Sequence, residues 1–139
     1  MMSKMTGARF MAETVHGYGI THVFFMPYIA PRALMEMEKL GIKRIQTHGE
    51  KAAAYMADAY ARIKRSPGLC MAQSVGAVNL AAGLQDAYLA CAPVIALTGR
   101  ENQINQQRHA YQEVDHVNPF SAVTKYSAFV ANPEQLPVY

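Results

Sequence analysis

Glu50 stands in the run His48-Gly49-Glu50-Lys51-Ala52-Ala53-Ala54, where an apolar strand pattern gives way to an alanine-rich helix pattern. In open α/β sheets that kind of junction borders the crevice in which ligands bind. A carboxyl group there can share a proton with a ligand. It can equally serve as a helix-start acid that complements the helix dipole. A second group of interest is Gly76-Ala77-Val78-Asn79, a glycine turn that lets backbone come close to a ligand or simply turns the chain. A third is Tyr111-Gln112, an aromatic and an amide in a polar stretch that also reads as an ordinary loop. The five histidines (His16, His22, His48, His109, His116) show no paired ligand spacing, which argues against a protein-held zinc. Cys70 and Cys91, both in apolar surroundings, read as small core residues of a reduced protein.

These residues need a scaffold, and the pattern supplies one. Thr6 caps a helix to about Tyr18, ended by Gly17 and Gly19. His22 to Met26 is a short buried strand. Pro31 opens a helix that closes at Gly41. Lys43 to Thr47 is a second strand, and the helix from Glu50 runs to about Ile63. Leu69 to Gln73 is a third strand, Gly76 to Ala90 a small-residue helix, Val94 to Thr98 a fourth strand and Val123 to Val130 a further one. Residues 100–118 form a polar loop, and long ordered loops are commonly functional. Strand and helix alternate, and the strands are continuous apolar runs, so the expected fold is α/β, doubly wound, with a mostly parallel six-stranded sheet covered by helices on both faces. Asn132-Pro133-Glu134 starts a helix that would be cut short at Tyr139, so residues 1–139 are expected to be one domain, a fragment of a longer chain.

The bulk numbers narrow the function classes. With 139 residues, 51% of them hydrophobic and 17% charged, the chain supports one packed core and is not a disordered segment. The net charge of +3 is small and scattered. Its densest cluster, Arg62, Lys64 and Arg65, falls at a helix C-terminus, where cations complement the dipole, so nucleic acid is not an expected partner. Lys4 and Arg9 are followed by no apolar targeting segment, and no run is long enough to cross a membrane. A cytoplasmic location is expected.

Three segments taken together resemble the N-terminal pyrimidine-binding domain of thiamine-diphosphate enzymes, in the acetolactate synthase and pyruvate oxidase branch. They are Glu50 with Met56-Ala57 and Tyr60-Ala61-Arg62; Ser74-Val75-Gly76-Ala77-Val78-Asn79-Leu80 followed by Ala92-Pro93-Val94-Ile95-Ala96-Leu97-Thr98-Gly99; and Tyr111-Gln112-Glu113-Val114-Asp115 with Val123-Thr124-Lys125-Tyr126. The resemblance implies that Glu50 hydrogen-bonds N1′ of the cofactor's aminopyrimidine and so promotes loss of the thiazolium C2 proton. It implies that Pro27, Gly76 and Asn79 border the cofactor, and that Gln112 acts beside the reacting carbons, with Tyr111, Tyr28, Ile29 and Gln73 around the substrate. The implied reaction is decarboxylation of a 2-oxo acid and transfer of the resulting carbanion–enamine. The implied cofactors are thiamine diphosphate and Mg²⁺, the latter held by a diphosphate-binding domain of the same or a second chain, with a flavin left open. A homo-oligomer is also implied.

Departures from the family pattern bear on the substrate. Met26-Pro27-Tyr28-Ile29-Ala30 stands where acetolactate synthases keep Pro-Gly-Gly-Ala, and Gln73-Ser74 stands where Ser-Gly is frequent. The chain lacks the Gly-Asp-Gly motif that binds the metal in the family. Other readings are a stand-alone subunit of a two-chain decarboxylase and a non-catalytic scaffold. A nucleotide-binding module is disfavoured, because Gly17-Tyr18-Gly19 follows a helix and has no third glycine.

Overall fold

The computed structural model describes residues 5–139; Lys4 lies outside them. Four parallel strands, β1 (His22–Phe25), β2 (Lys43–Gln46), β3 (Gly68–Gln73) and β4 (Val94–Gly99), lie in the order β2-β1-β3-β4. The helices are α1 (Gly7–Gly17), α2 (Pro31–Lys39), α3 (Glu50–Lys64), α4 (Val75–Gly83), α5 (Gln85–Leu89) and α6 (Val117–Ser121). The chain leaves β1 toward one edge and returns across the sheet to β3, so β1 and β3 flank the switch point. Beyond their carboxyl ends opens the crevice that such sheets use for ligands.

Strand alternation divides the core in two. Val23, Leu69 and Met71 face α1 and α2 and pack with Ala12, Ile20, Leu34 and Met37. Their neighbours Phe24, Cys70 and Ala72 face α3 and α4 and pack with Ala53, Ala54, Ala57, Ala77 and Leu80. The sheet is therefore covered on both faces, as its apolar runs require.

Local signals set the helix ends. The Thr6 hydroxyl accepts from the Arg9 N–H at 3.2 Å and caps α1. Pro31 opens α2, and Gly41, at φ +79°, follows its end. Arg62 grips the buried Asp58 with two bonds of 2.8 Å and also donates to the Asp86 carbonyl at 3.3 Å, tying α3 to α5.

The described residues hold four strands, not six. Residues 123–130 do not join the sheet: the Val123 N–H and the Thr124 hydroxyl are both turned back onto the Phe120 carbonyl at the end of α6. Without a ladder, Val123 packs against the core while Phe129 stays partly exposed with the Arg100 guanidinium over its ring. The helix expected over residues 76–90 breaks into α4 and α5 at Leu84, just past Gly83. Cys91 is exposed rather than core, whereas burial pushes the Cys70 thiol up to about 12. Residues Pro133–Val138 form a 3₁₀ turn against α1 in place of an α-helix start, with Pro137 inside it.

At Gly68 a Cβ would lie 2.9 Å from the Ala57 carbonyl carbon of α3 and nearer still to its oxygen, whereas at Gly17 it would meet nothing within 4 Å. Gly68→Ala should therefore destabilise the fold by about 1–3 kcal/mol through overpacking. Gly17→Ala should stay within about 1 kcal/mol of wild type. Chemical denaturation of the two variants checks the contrast.

Candidate functional site

Glu50 is the first residue of α3, half-buried, and preceded by an extended Gly49 that carries no capping side chain. Across from it, α4 begins one residue after Ser74. A Cβ built on Gly76 would sit 2.5 Å from Glu50 Oε1 and 3.0 Å from its carboxyl carbon. Bare backbone thus faces the carboxylate, and any side chain at position 76 would displace it. Asn79, one turn further along α4, donates from Nδ2 to Glu50 Oε2 at 3.3 Å. Among the described residues Oε1 receives no hydrogen bond. The arrangement fixes one oxygen and leaves the other available to a donor or a proton-sharing partner.

The approach of α3 to α4 that permits this rests on small residues. A Cβ on Gly83 would be 2.8 Å from the Ala54 Cβ and 2.9 Å from the Lys51 carbonyl oxygen. Ala53, Ala54, Ala57 and Ala77 are all buried between the same elements.

A second grouping lies beyond the ends of β1, β3 and β4, around a cavity of about 390 Å³ lined in part by Tyr28, Ile29, Gln73 and Arg100. Pro27 precedes it at the end of β1. Ile29 is only 2% exposed, and its Cδ1 lies 2.7 Å from where a Cβ on Gly99 would stand, so Ile29 fills the space that Gly99 leaves. The backbone here is strained: Tyr28 (φ +71°), Ala30 (φ +36°) and Ser74 (φ +52°) all occupy the left-handed half of conformational space without being glycines. Each such residue costs about 1–3 kcal/mol, and strain of this kind clusters at ligand sites.

Tyr111 and Gln112 stand apart from both groupings. They are exposed on the loop between β4 and α6, with Gln112 at φ +61°. That loop is folded on Glu113, whose carboxylate accepts the Gln107 and Ala110 N–H groups. Those bonds, the Gln107 amide foremost, hold the Glu113 carboxyl below its ordinary range.

Sequence reasoning missed His116. It is 5% exposed, its Nδ1 lies 2.9 Å from the Thr98 hydroxyl at the end of β4, and its Nε2 has no partner among the described residues. Burial pulls its pKa down and the Arg100 charge adds to this, while the Ser74 carbonyl and Asp115 oppose it. The Ser74 N–H in turn donates to the Gly99 carbonyl at 2.8 Å. His116 therefore sits between the end of β4 and the strained turn that leads to Gly76. The one signal in sequence was Asp115, whose carboxylate accepts the Val117 N–H and opens α6.

Fold and site together define a parallel α/β binding domain whose crevice carries one carboxylate set against bare backbone. The family described as thiamine pyrophosphate enzyme, N-terminal TPP binding domain, matches residues 5–118, and the chain belongs to it. It is 33% identical over 142 aligned positions to acetolactate synthase of Arthrospira platensis, covering 98% of this chain and 24% of that protein. It is 35% identical to the acetolactate synthase isozyme 2 large subunit of Escherichia coli, covering 96% and 25% respectively. With the chloroplastic acetolactate synthase of Arabidopsis thaliana the identity is 31%, covering 94% and 20%. The chain thus spans about a quarter of the length of the relatives it matches.

The lowered pKa of His116 makes a stability prediction. Above the ordinary histidine value of about 6.5 the imidazole is neutral in both folded and unfolded chains, and its contribution is fully present. As pH falls through that value the unfolded chain takes up the proton first, so stability is lost until the lower folded pKa is passed. His22 is lowered too, chiefly by burial, but it is common to both proteins in a comparison. Wild type should lose stability more steeply than His116→Gln between about pH 7 and 5, as measured by denaturant titrations at stepped pH.

Proposed function

We propose that this chain is the pyrimidine-binding part of a thiamine-diphosphate-dependent enzyme of the acetolactate synthase type, acting on a 2-oxo acid, and that Glu50 is its cofactor-activating acid. The observation that supports this most is the Glu50 carboxylate lying against Gly76 with Oε1 free of donors. The residues present fit the cofactor: a flat aminopyrimidine needs a face without side chains, which Gly76 provides, and a proton-sharing oxygen at its edge, which Glu50 provides. When bound, thiamine diphosphate supplies an electron sink that proteins lack, through which a 2-oxo acid can be decarboxylated and its remaining fragment passed to an acceptor. Glu50 would hold or release a proton at N1′ of the pyrimidine. Asn79 would keep the carboxylate turned toward that atom, since its bond to Oε2 limits rotation of the group.

No cluster of three or more His, Cys, Asp or Glu suited to a metal occurs among the described residues. We assign Mg²⁺ and the diphosphate to a partner domain, on the same or a second chain. Tyr55 and Met56 of α3 and Val75 and Val78 of α4 are exposed on the two helices that carry Glu50 and Asn79, which supports closure of the site against another subunit or domain. No helix among the described residues is long and apolar enough to cross a membrane. We place the protein in the cytoplasm.

Glu50→Gln keeps the shape of the side chain and removes its ability to exchange a proton. In the full-length protein it should lower thiamine-diphosphate-dependent release of carbon dioxide from a 2-oxo acid by about 10²–10⁴-fold, with thermal unfolding unchanged. Undiminished activity would mean that Glu50 is only a helix-start acid and that the domain serves as a scaffold.

A further inference from the structure

The cavity at the ends of β1, β3 and β4 has a one-sided charge. Among the described residues Arg100 is the only ionisable group of its lining apart from the Tyr28 phenol, and none of the lining residues is a carboxylate. Most of the remaining wall is apolar, including Met11, Ile29, Met71 and Leu97. Arg100 makes no ion pair among the described residues. Its guanidinium lies 4.8 Å over the Phe129 ring, a contact that restrains the side chain while leaving the N–H groups to other partners. A half-buried, restrained guanidinium at the mouth of an apolar recess is suited to a planar or tetrahedral anion held by two N–H groups. The Gln73 amide in the same lining adds a neutral donor.

The cavity is close to the cofactor face. Gln73 lines it, and Gly76, three residues on, faces Glu50. Three residues span at most about 11 Å.

The chemistry then selects which anion the arginine serves. In decarboxylation the bond to the departing carboxylate breaks, carbon dioxide leaves, and the bonding pair stays on the substrate carbon, delocalised into the bound cofactor. A guanidinium paired to that carboxylate would stabilise the substrate more than the transition state and slow the step. A guanidinium paired to an anion that is retained costs nothing at the transition state and contributes binding.

We propose that Arg100 binds the second, retained anionic group of a 2-oxo acid that carries two anionic groups, so that the substrate carries a distal carboxylate or phosphonate. This rests on the reading of the chain as part of a thiamine-diphosphate enzyme. The apolar wall accommodates the short carbon chain between the two anions.

Calorimetric titration of the full-length protein with pyruvate, 2-oxoglutarate and 3-phosphonopyruvate tests the assignment without relying on turnover. Wild type should bind at least one dianion about tenfold or more tightly than pyruvate. Arg100→Gln, checked for folding by thermal unfolding, should bring the three within about twofold of one another, and Arg100→Lys should recover part of the difference. Whichever dianion binds more tightly identifies the distal group as carboxylate or phosphonate. Equal binding of all three by wild type, or an undiminished preference in Arg100→Gln, would overturn the proposal. Glu50→Gln should keep the preference. A preference for a dianion in a wild-type protein that turns over none of the three acids with thiamine diphosphate would refute the enzyme reading and leave the anion site standing.

Discussion

The close approach of α4 to α3 is the constraint on which the site depends. Helices pack at 8–10 Å when ordinary side chains separate them, and a carboxylate at the start of one would then stand clear of the other. Here Gly83 admits the Ala54 methyl and the Lys51 backbone, and alanines fill the remainder of the seam. The start of α4 is thereby drawn onto Glu50 until only a glycine fits at position 76. The alanine-rich composition of α3 is thus a positional requirement as much as a helix preference. It fixes the distance between a carboxylate and a bare stretch of backbone.

The same economy of space governs the other side of the crevice, by the opposite means. After the first strand the chain carries Tyr28 and Ile29, and Tyr28 has a left-handed backbone. Ile29 turns inward over Gly99 and Tyr28 stands exposed. Ser74, strained and tied to Gly99, links this side to the glycine turn, with His116 buried between them and Arg100 at the cavity mouth.

Much of this was legible in the sequence because its signals are local. β1, β3 and β4 are short, largely apolar runs, β2 (Lys43-Arg44-Ile45-Gln46) is a polar edge strand rather than the apolar run expected, and each falls within a residue or so of its expected limits. Thr6, Pro31 and Gly41 mark helix ends by their own chemistry. Family resemblance implied roles for Glu50 and for Gly76 separately, not their contact. Spacing alone would not have shown it, since contact across α3 and α4 is a tertiary fact. Residues 123–130 suit a strand by composition, but whether they join a ladder depends on the turn that Phe120 imposes. His116 and Arg100 were not singled out, because a buried imidazole and an unpaired guanidinium look like any loop residue until the strand ends are placed around them. Positive φ at Tyr28, Ala30 and Ser74 carries no sequence signature at all, as these residue types do not favour it.

The central claim is that Glu50 meets the pyrimidine edge of thiamine diphosphate against the backbone of Gly76. A crystal structure of the full-length protein with the cofactor bound addresses it directly. The expected result is a Glu50 carboxyl oxygen within hydrogen-bond reach of N1′, about 2.6–3.2 Å, with the ring lying on Gly76 and Asn79 still on the other oxygen. A cofactor bound elsewhere, or a Glu50 that contacts only protein groups in the complex, would contradict it.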